Sequence, residues 1–335
     1  MIQKRDKSID ALKGLSILCI VLLHYSNTLL STWSYVWISR FMITTFYFTS
    51  GWLSGISTKE QTITLLYKKR LRSLGIPYIS FTAIILCFDF IWLTIGNYEW
   101  NYILKDIYKA IILRGIGTLW FLPALMGGEL VVLWLRIRNK KEIWIGIGVI
   151  TLIGVGFYDY WLEVYRNRGT IYQIIDAPLA VIVSVLRAWP IIFFGHIISK
   201  YYSKKIETQK KIFLLFTGII ILIVSILLCD NFVTLHIFKW FVTPSLAPLG
   251  LLLIFRGLAN LKILNFFEYW GRNSLVVMAT HYSILQVICI NVCERFFSQT
   301  FTGWITLFFV IVTLIIEVPI IYLFNNTNIR VLLGK

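Results

Sequence analysis

Charge is what this sequence lacks most. Only 14% of its 335 residues are Asp, Glu, Lys or Arg, and 16 acidic residues stand against 32 basic ones. Soluble domains carry roughly a quarter charged residues, so a water-facing surface along the whole chain is excluded. Cysteine is scarce too. Cys19, Cys87, Cys229, Cys289 and Cys293 all fall in or at the ends of apolar segments, where they behave as small hydrophobes and define no disulfide framework. Cys289 and Cys293 can share a helix face, but no further Cys/His pair accompanies them, so no metal site is expected. Low-complexity tracts, fixed-period repeats and stretches long enough for an added soluble domain are all missing, and residues 1–335 read as a single membrane domain. The first apolar run has no small-residue cleavage site before the next loop, which argues against a removable signal peptide.

What is present is apolar. Hydrophobic residues make up 58% of the chain, aromatics 16%, and the mean hydropathy is +0.77. The apolar runs are about twenty residues long, the length that crosses a bilayer as a helix. Backbone groups in lipid must be satisfied within their own segment, so the expected fold is all-α: a polytopic bundle of about ten transmembrane helices. Its spans are expected near 11–30, 37–56, 74–95, 118–135, 143–162, 178–199, 212–229, 236–255, 274–293 and 303–324. Basic runs alternate between them. If those runs share one side, that side holds 23 of the 32 Lys and Arg, which makes it cytoplasmic and puts both termini inside a multi-pass cell-membrane protein. The net charge of +16 then reflects topology and contact with anionic lipids. No basic stripe with interleaved aromatics rises above this pattern, so nucleic acid is not an expected partner.

Ionisable residues inside such spans are costly and mark function by default. Arg40, Glu129, Asp89, Arg187 and Lys239 are of this kind, as are His24 and His281. The first helix opens SIDALKGLSILCIVLLH. His24 lies eleven residues beyond Lys13, about 16 Å along a helix, and close to three full turns put Lys13, Ile17, Ile20 and His24 on one stripe that Asp10 extends. Such a face can link a charged mouth to a titratable imidazole within, although a core histidine hydrogen-bonded to a neighbouring helix fits as well. A second cluster, YKKRLRSLGIPYISF, packs Lys68, Lys69, Arg70 and Arg72 against a membrane entry, with Gly75 and Pro77 expected to break the helix start. It suits either a stop-transfer signal or a phosphate-rich ligand.

These segments resemble the acyltransferase 3 family, in its fucose-4-O-acetylase-like and polysaccharide O-acetyltransferase branch. IDALKGLSILCIVLLH is similar to the family's D-G-L-R and His signature, with Lys13 where most members have arginine. FYFTSGWLSG (Phe46 to Gly55), KRLRSLGIPY, TLWFLPAL (Thr118 to Leu125) and NSLVVMATHYSIL (Asn273 to Leu285) resemble four further elements, in family order. The resemblance implies transfer of an acetyl group from acetyl-CoA, used at the cytoplasmic face, to a sugar hydroxyl of a surface or lipid-linked polysaccharide. It maps the family's essential histidine onto His24 and its first-helix basic residue onto Lys13.

An alcohol is a poor nucleophile at neutral pH, so acyl transfer needs a base and donors where oxyanion charge develops. His24 is expected to be that base or a transient acyl carrier, with Asp10 and Lys13 orienting the cytoplasmic end. Lys69, Arg70 and Arg72 are expected near the CoA phosphates, and Arg40, Arg187 and His281 along the acceptor cavity. Ser50 is expected to allow close helix approach. Trp33, Trp37, Tyr98 and Trp100 suit an interfacial belt or stacking on sugar rings. A glycolipid or polysaccharide transporter and an O-succinyltransferase are the alternatives, and oligomeric state stays open.

Overall fold

The computed structural model describes residues 5–25, 30–57, 62–165, 168–231, 238–297 and 303–334, and for residues 32, 170, 230, 231, 238, 239 and 293–297 the backbone alone. Among the described residues there is no strand. The α-helices are α1 (Lys7–Tyr25), α2 (Thr32–Phe41), α3 (Thr44–Ile56), α4 (Ile63–Arg70), α5 (Ile76–Thr94), α6 (Trp100–Ile111), α7 (Phe121–Arg138) and α8 (Lys141–Tyr165). They continue with α9 (Thr170–Thr208), α10 (Lys211–Asn231), α11 (Thr243–Gly257), α12 (Ile263–Arg272), α13 (Ser274–Thr280), α14 (Val287–Phe297) and α15 (Gly303–Asn326). Nine helical stretches among the described residues are long and apolar enough to cross a bilayer. The protein is therefore an all-α multi-pass membrane bundle.

Two of the expected spans differ in form. The second, 37–56, is two helices, with a turn at Met42 and Ile43 between α2 and α3. Threonine side chains take up the carbonyls that the break releases: the Thr44 hydroxyl donates to Arg40 O (3.0 Å) and Phe41 O (3.2 Å), and the Thr45 hydroxyl to Phe41 O (2.9 Å). In a bilayer such replacement is required, because no water is there to do it. The third span does not break at Gly75 and Pro77. It runs unbroken from Ile63 to Thr94 through a π-helical turn at Leu71–Gly75. Pro77 directly follows that turn, as the second residue of α5. The basic cluster consequently lies within a continuous helical rod rather than in a loop ahead of it.

The chain divides into two compact units. The first comprises Met1–Thr58, Pro190–Val277 and Cys289–Ile315; the second comprises Lys59–Trp189, Met278–Ile288 and Ile316–Lys335.

In the first unit, α1 packs on α12 with backbone touching backbone. A Cβ on Gly14 would fall 1.7 Å from the Phe267 carbonyl oxygen, and one on Gly271 would fall 1.7 Å from the Asp10 carbonyl oxygen. Lipid tails are as apolar as leucine, so close approach through small residues, rather than hydrophobic burial, holds such helices together. The same device joins α3 to α9, where a Cβ on Gly51 would lie 1.9 Å from Ile192 O. Gly51 is the neighbour of Ser50, the small residue expected to allow close helix approach.

In the second unit, α7 is fastened to the α4 rod by a buried ion pair. Arg70 Nη2 donates to Glu129 Oε1, and Nε stands in ion contact with Oε2. Phe81 of α5 meets Phe324 of α15 with ring centroids 5.2 Å apart.

Candidate functional site

Within the first unit, α1 presents the expected stripe. Lys13 and His24 are both half-buried on it. The His24 ring engages the backbone of Ile20 one turn earlier. That contact fixes the orientation of the ring, as a general base requires. The next residue, Tyr25, shares a hydroxyl hydrogen bond of 2.6 Å with Thr313. Arg40 lies in the last turn of α2, just before the break, and its Nη1 is buried with no hydrogen-bond partner among the described residues. A desolvated guanidinium nitrogen of this kind can receive an incoming negative charge.

Asp10 is 4% exposed and is gripped by cations from two directions. Arg5 donates to both of its oxygens, one at 3.1 Å, and Arg272 Nε stands 3.8 Å away. Arg272 also pairs with Glu268, so Asp10 belongs to an ion network that ties the start of α1 to α12. Nearby in the chain, Asp6 pairs with Arg256 at 2.8 Å, and that guanidinium lies over the Trp52 ring at 5.0 Å.

Within the second unit, the basic cluster separates by role. Arg70 is occupied by Glu129, while Arg72 donates to Gly334 O at 3.0 Å. Lys68 and Lys69 are exposed. His281 is fully buried and opens the π-helical turn His281–Gln286. The Thr118 hydroxyl donates to Met278 O, and Gly117 (φ +54°) abuts the Ser283 hydroxyl, where a Cβ would come within 2.2 Å. Two motifs 160 residues apart, TLWFLPAL and NSLVVMATHYSIL, therefore meet. Arg187 Nη2 donates to Asp159 at 2.7 Å, with its guanidinium 5.6 Å from the Tyr158 ring centre.

Two residues of this chemistry escaped the sequence reading. Glu317 is 0% exposed inside α15; Oε1 accepts from the Thr280 hydroxyl at 2.7 Å, and Oε2 has no hydrogen-bond partner among the described residues. Its signal was present, since it is the lone Asp, Glu, Lys or Arg of the span 303–326. His196 is 4% exposed and shares a 2.9 Å hydrogen bond with Ser54 of the FYFTSGWLSG motif. Among the described residues no group of three His, Cys, Asp or Glu could hold a metal ion. The expectations for the side chains of Lys239 and Cys293 fall outside the described residues.

Buried histidines and carboxylates in apolar helices mark a functional membrane protein, because such groups are costly there. A family model described as an acyltransferase domain matches residues 6–323. The chain belongs to the acyltransferase 3 family and is a multi-pass membrane acyltransferase. No curated protein matches it, and no solved structure does.

Proposed function

We propose that the protein transfers an acetyl group from cytoplasmic acetyl-CoA to a sugar hydroxyl of a surface or lipid-linked polysaccharide, in the plasma membrane, with both termini inside. The observation that carries this reading is His24: a ring fixed by the Ile20 backbone, about 16 Å along α1 from Lys13, in a chain of the acyltransferase family. Lys68 and Lys69 supply positive charge for the donor's phosphates, as point charges rather than forks, and Lys13 orients the cytoplasmic end of α1. Arg72 would serve them with its remaining donors.

His24 takes the proton of the acceptor hydroxyl as the oxygen attacks the thioester carbonyl. The negative charge that builds on the carbonyl oxygen meets the buried Nη1 of Arg40. Collapse of the tetrahedral adduct breaks the C–S bond, and the thiolate of CoA leaves with the proton that His24 took. In the two-step form the imidazole nitrogen attacks first, CoA departs, and the sugar oxygen then displaces the acyl group from His24. Asp10 acts on this chemistry by holding the mouth of α1 against α12, and Arg187 and His281 serve the acceptor side.

Sealed membrane vesicles of both orientations test the reading. With labelled acetyl-CoA supplied outside, label should enter glycan only in inverted vesicles, whose basic face is outward. Label entering from the opposite face, or no label in either, would overturn it. Glycan carried across without acetyl-CoA would favour the transporter.

A further inference from the structure

The end of α5 distant from the basic cluster carries a polar patch that the transfer chemistry above does not use. Asp89, on α5, is 2% exposed, and Asp106, on α6, is 1% exposed. Asp106 is compensated by Lys109, whose Nζ stands 2.7 Å from Oδ1. Asp89 is not compensated in this way: its Oδ2 is buried and has no hydrogen-bond partner among the described residues. One turn on, the indole N–H of Trp92 is likewise buried with no acceptor among the described residues. An orphaned acceptor and an orphaned donor so close in the chain cost several kcal/mol in an apolar setting unless something completes them.

Aromatic rings gather around the end of α5 and the start of α6. Tyr98 and Tyr102 pack with ring centroids 4.2 Å apart and planes tilted by 35°, and the Trp92 ring centroid is 6.4 Å from that of Tyr98. Burial raises both phenols above their ordinary range, and the Asp89 and Asp106 charges raise them further, so the hydroxyls and carboxylates share one neighbourhood. The Tyr98 phenol also feels Tyr282, which immediately follows His281. Tyr102, Tyr282 and Lys109 are 43%, 39% and 42% exposed, so the patch opens outward over its buried floor.

We propose that Asp89, Trp92, Tyr98, Tyr102, Lys109 and Tyr282 form the subsite that receives a sugar ring of the acceptor. A neutral polyhydroxyl ring is the chemistry that answers every unmet group. Its hydroxyls donate to Asp89 Oδ2 and accept from Trp92 and Lys109, while its apolar face stacks on the tyrosine pair. A cation is the poorer match, because Lys109 already supplies positive charge and an indole N–H repels metal. This inference deepens the proposed function and rests on it.

The test titrates de-O-acetylated surface polysaccharide of the source cells against fixed labelled acetyl-CoA, in membranes carrying wild type, Asp89→Asn or Tyr102→Leu. Each variant should raise the polysaccharide concentration for half-maximal transfer about ten-fold or more, while half-saturation by acetyl-CoA moves less than about two-fold. Tyr102→Leu, at a partly exposed position, guards against a folding defect in Asp89→Asn, as does matched thermal stability. Wild-type transfer with unchanged polysaccharide dependence in both variants overturns the subsite alone. Half-saturations for both substrates that move together overturn it as well. No transfer by wild type overturns the proposed function and the subsite with it.

Discussion

Replacing Arg70 by alanine separates two roles for the basic cluster. Arg70 was expected near the CoA phosphates, yet its guanidinium is paired with Glu129, which is 6% exposed inside α7. Arg70 itself is 24% exposed at the side chain, so part of the pair is screened. Removing one partner of a buried pair costs about 3 to 5 kcal/mol, and the partial exposure puts Arg70→Ala at the lower end, about 3 kcal/mol. Glu129→Ala should cost about as much, since it strands the cation instead. Arg70→Met with Glu129→Leu, which removes both charges and keeps the volume, should lie closer to wild type than either single change, a coupling of about 2 kcal/mol. Thermal unfolding in detergent, followed by the monodisperse fraction after heating, reads these differences, and acetyl-CoA half-saturation is measured beside it. If Arg70→Ala raises that half-saturation with stability intact, and Glu129→Ala is silent, Arg70 belongs to the donor site and the structural reasoning is wrong.

Gly271→Ala should destabilise by about 1 to 3 kcal/mol or more, because its Cβ would meet Asp10 O at 1.7 Å and force α12 off α1; a lower unfolding temperature checks this. Glu317→Leu leaves the buried Thr280 hydroxyl without its acceptor and should destabilise by about 1 to 3 kcal/mol, read as a lower unfolding temperature. The Tyr102 phenol, raised by burial and then by Asp106, should titrate later than free tyrosine in alkaline difference absorbance, and Asp106→Asn should bring it down. Since the unfolded chain then releases that proton first, the stability tied to Tyr102 is lost as pH rises above about 10.

Much of the site was legible because each motif is local. The Lys13 to His24 stripe follows from helical spacing alone, and α1 keeps it. Hydropathy located the spans, since about twenty apolar residues have one solution in lipid. It could not see the break at Met42 and Ile43, because a two-residue turn leaves the average of a window untouched. Nor could it see that Leu71–Gly75 continues the helix as a π turn, where Gly and Pro usually mean a boundary. Pairings were illegible for another reason: Arg70 meets Glu129 across 59 residues, and Thr280 meets Glu317 across 37, distances at which sequence carries no contact signal. Glu317 was visible as a lone charge in an apolar run, and the rule that such charges are functional applied to it as much as to His24.

The most direct measurement is acyl transfer from radiolabelled acetyl-CoA into surface glycan, in membranes holding wild type or His24→Ala at matched expression and matched thermal stability. Label that enters glycan with wild type and falls at least a hundred-fold, on the order expected for losing a general base, is the predicted result. Equal incorporation in both would contradict it and make His24 a core histidine.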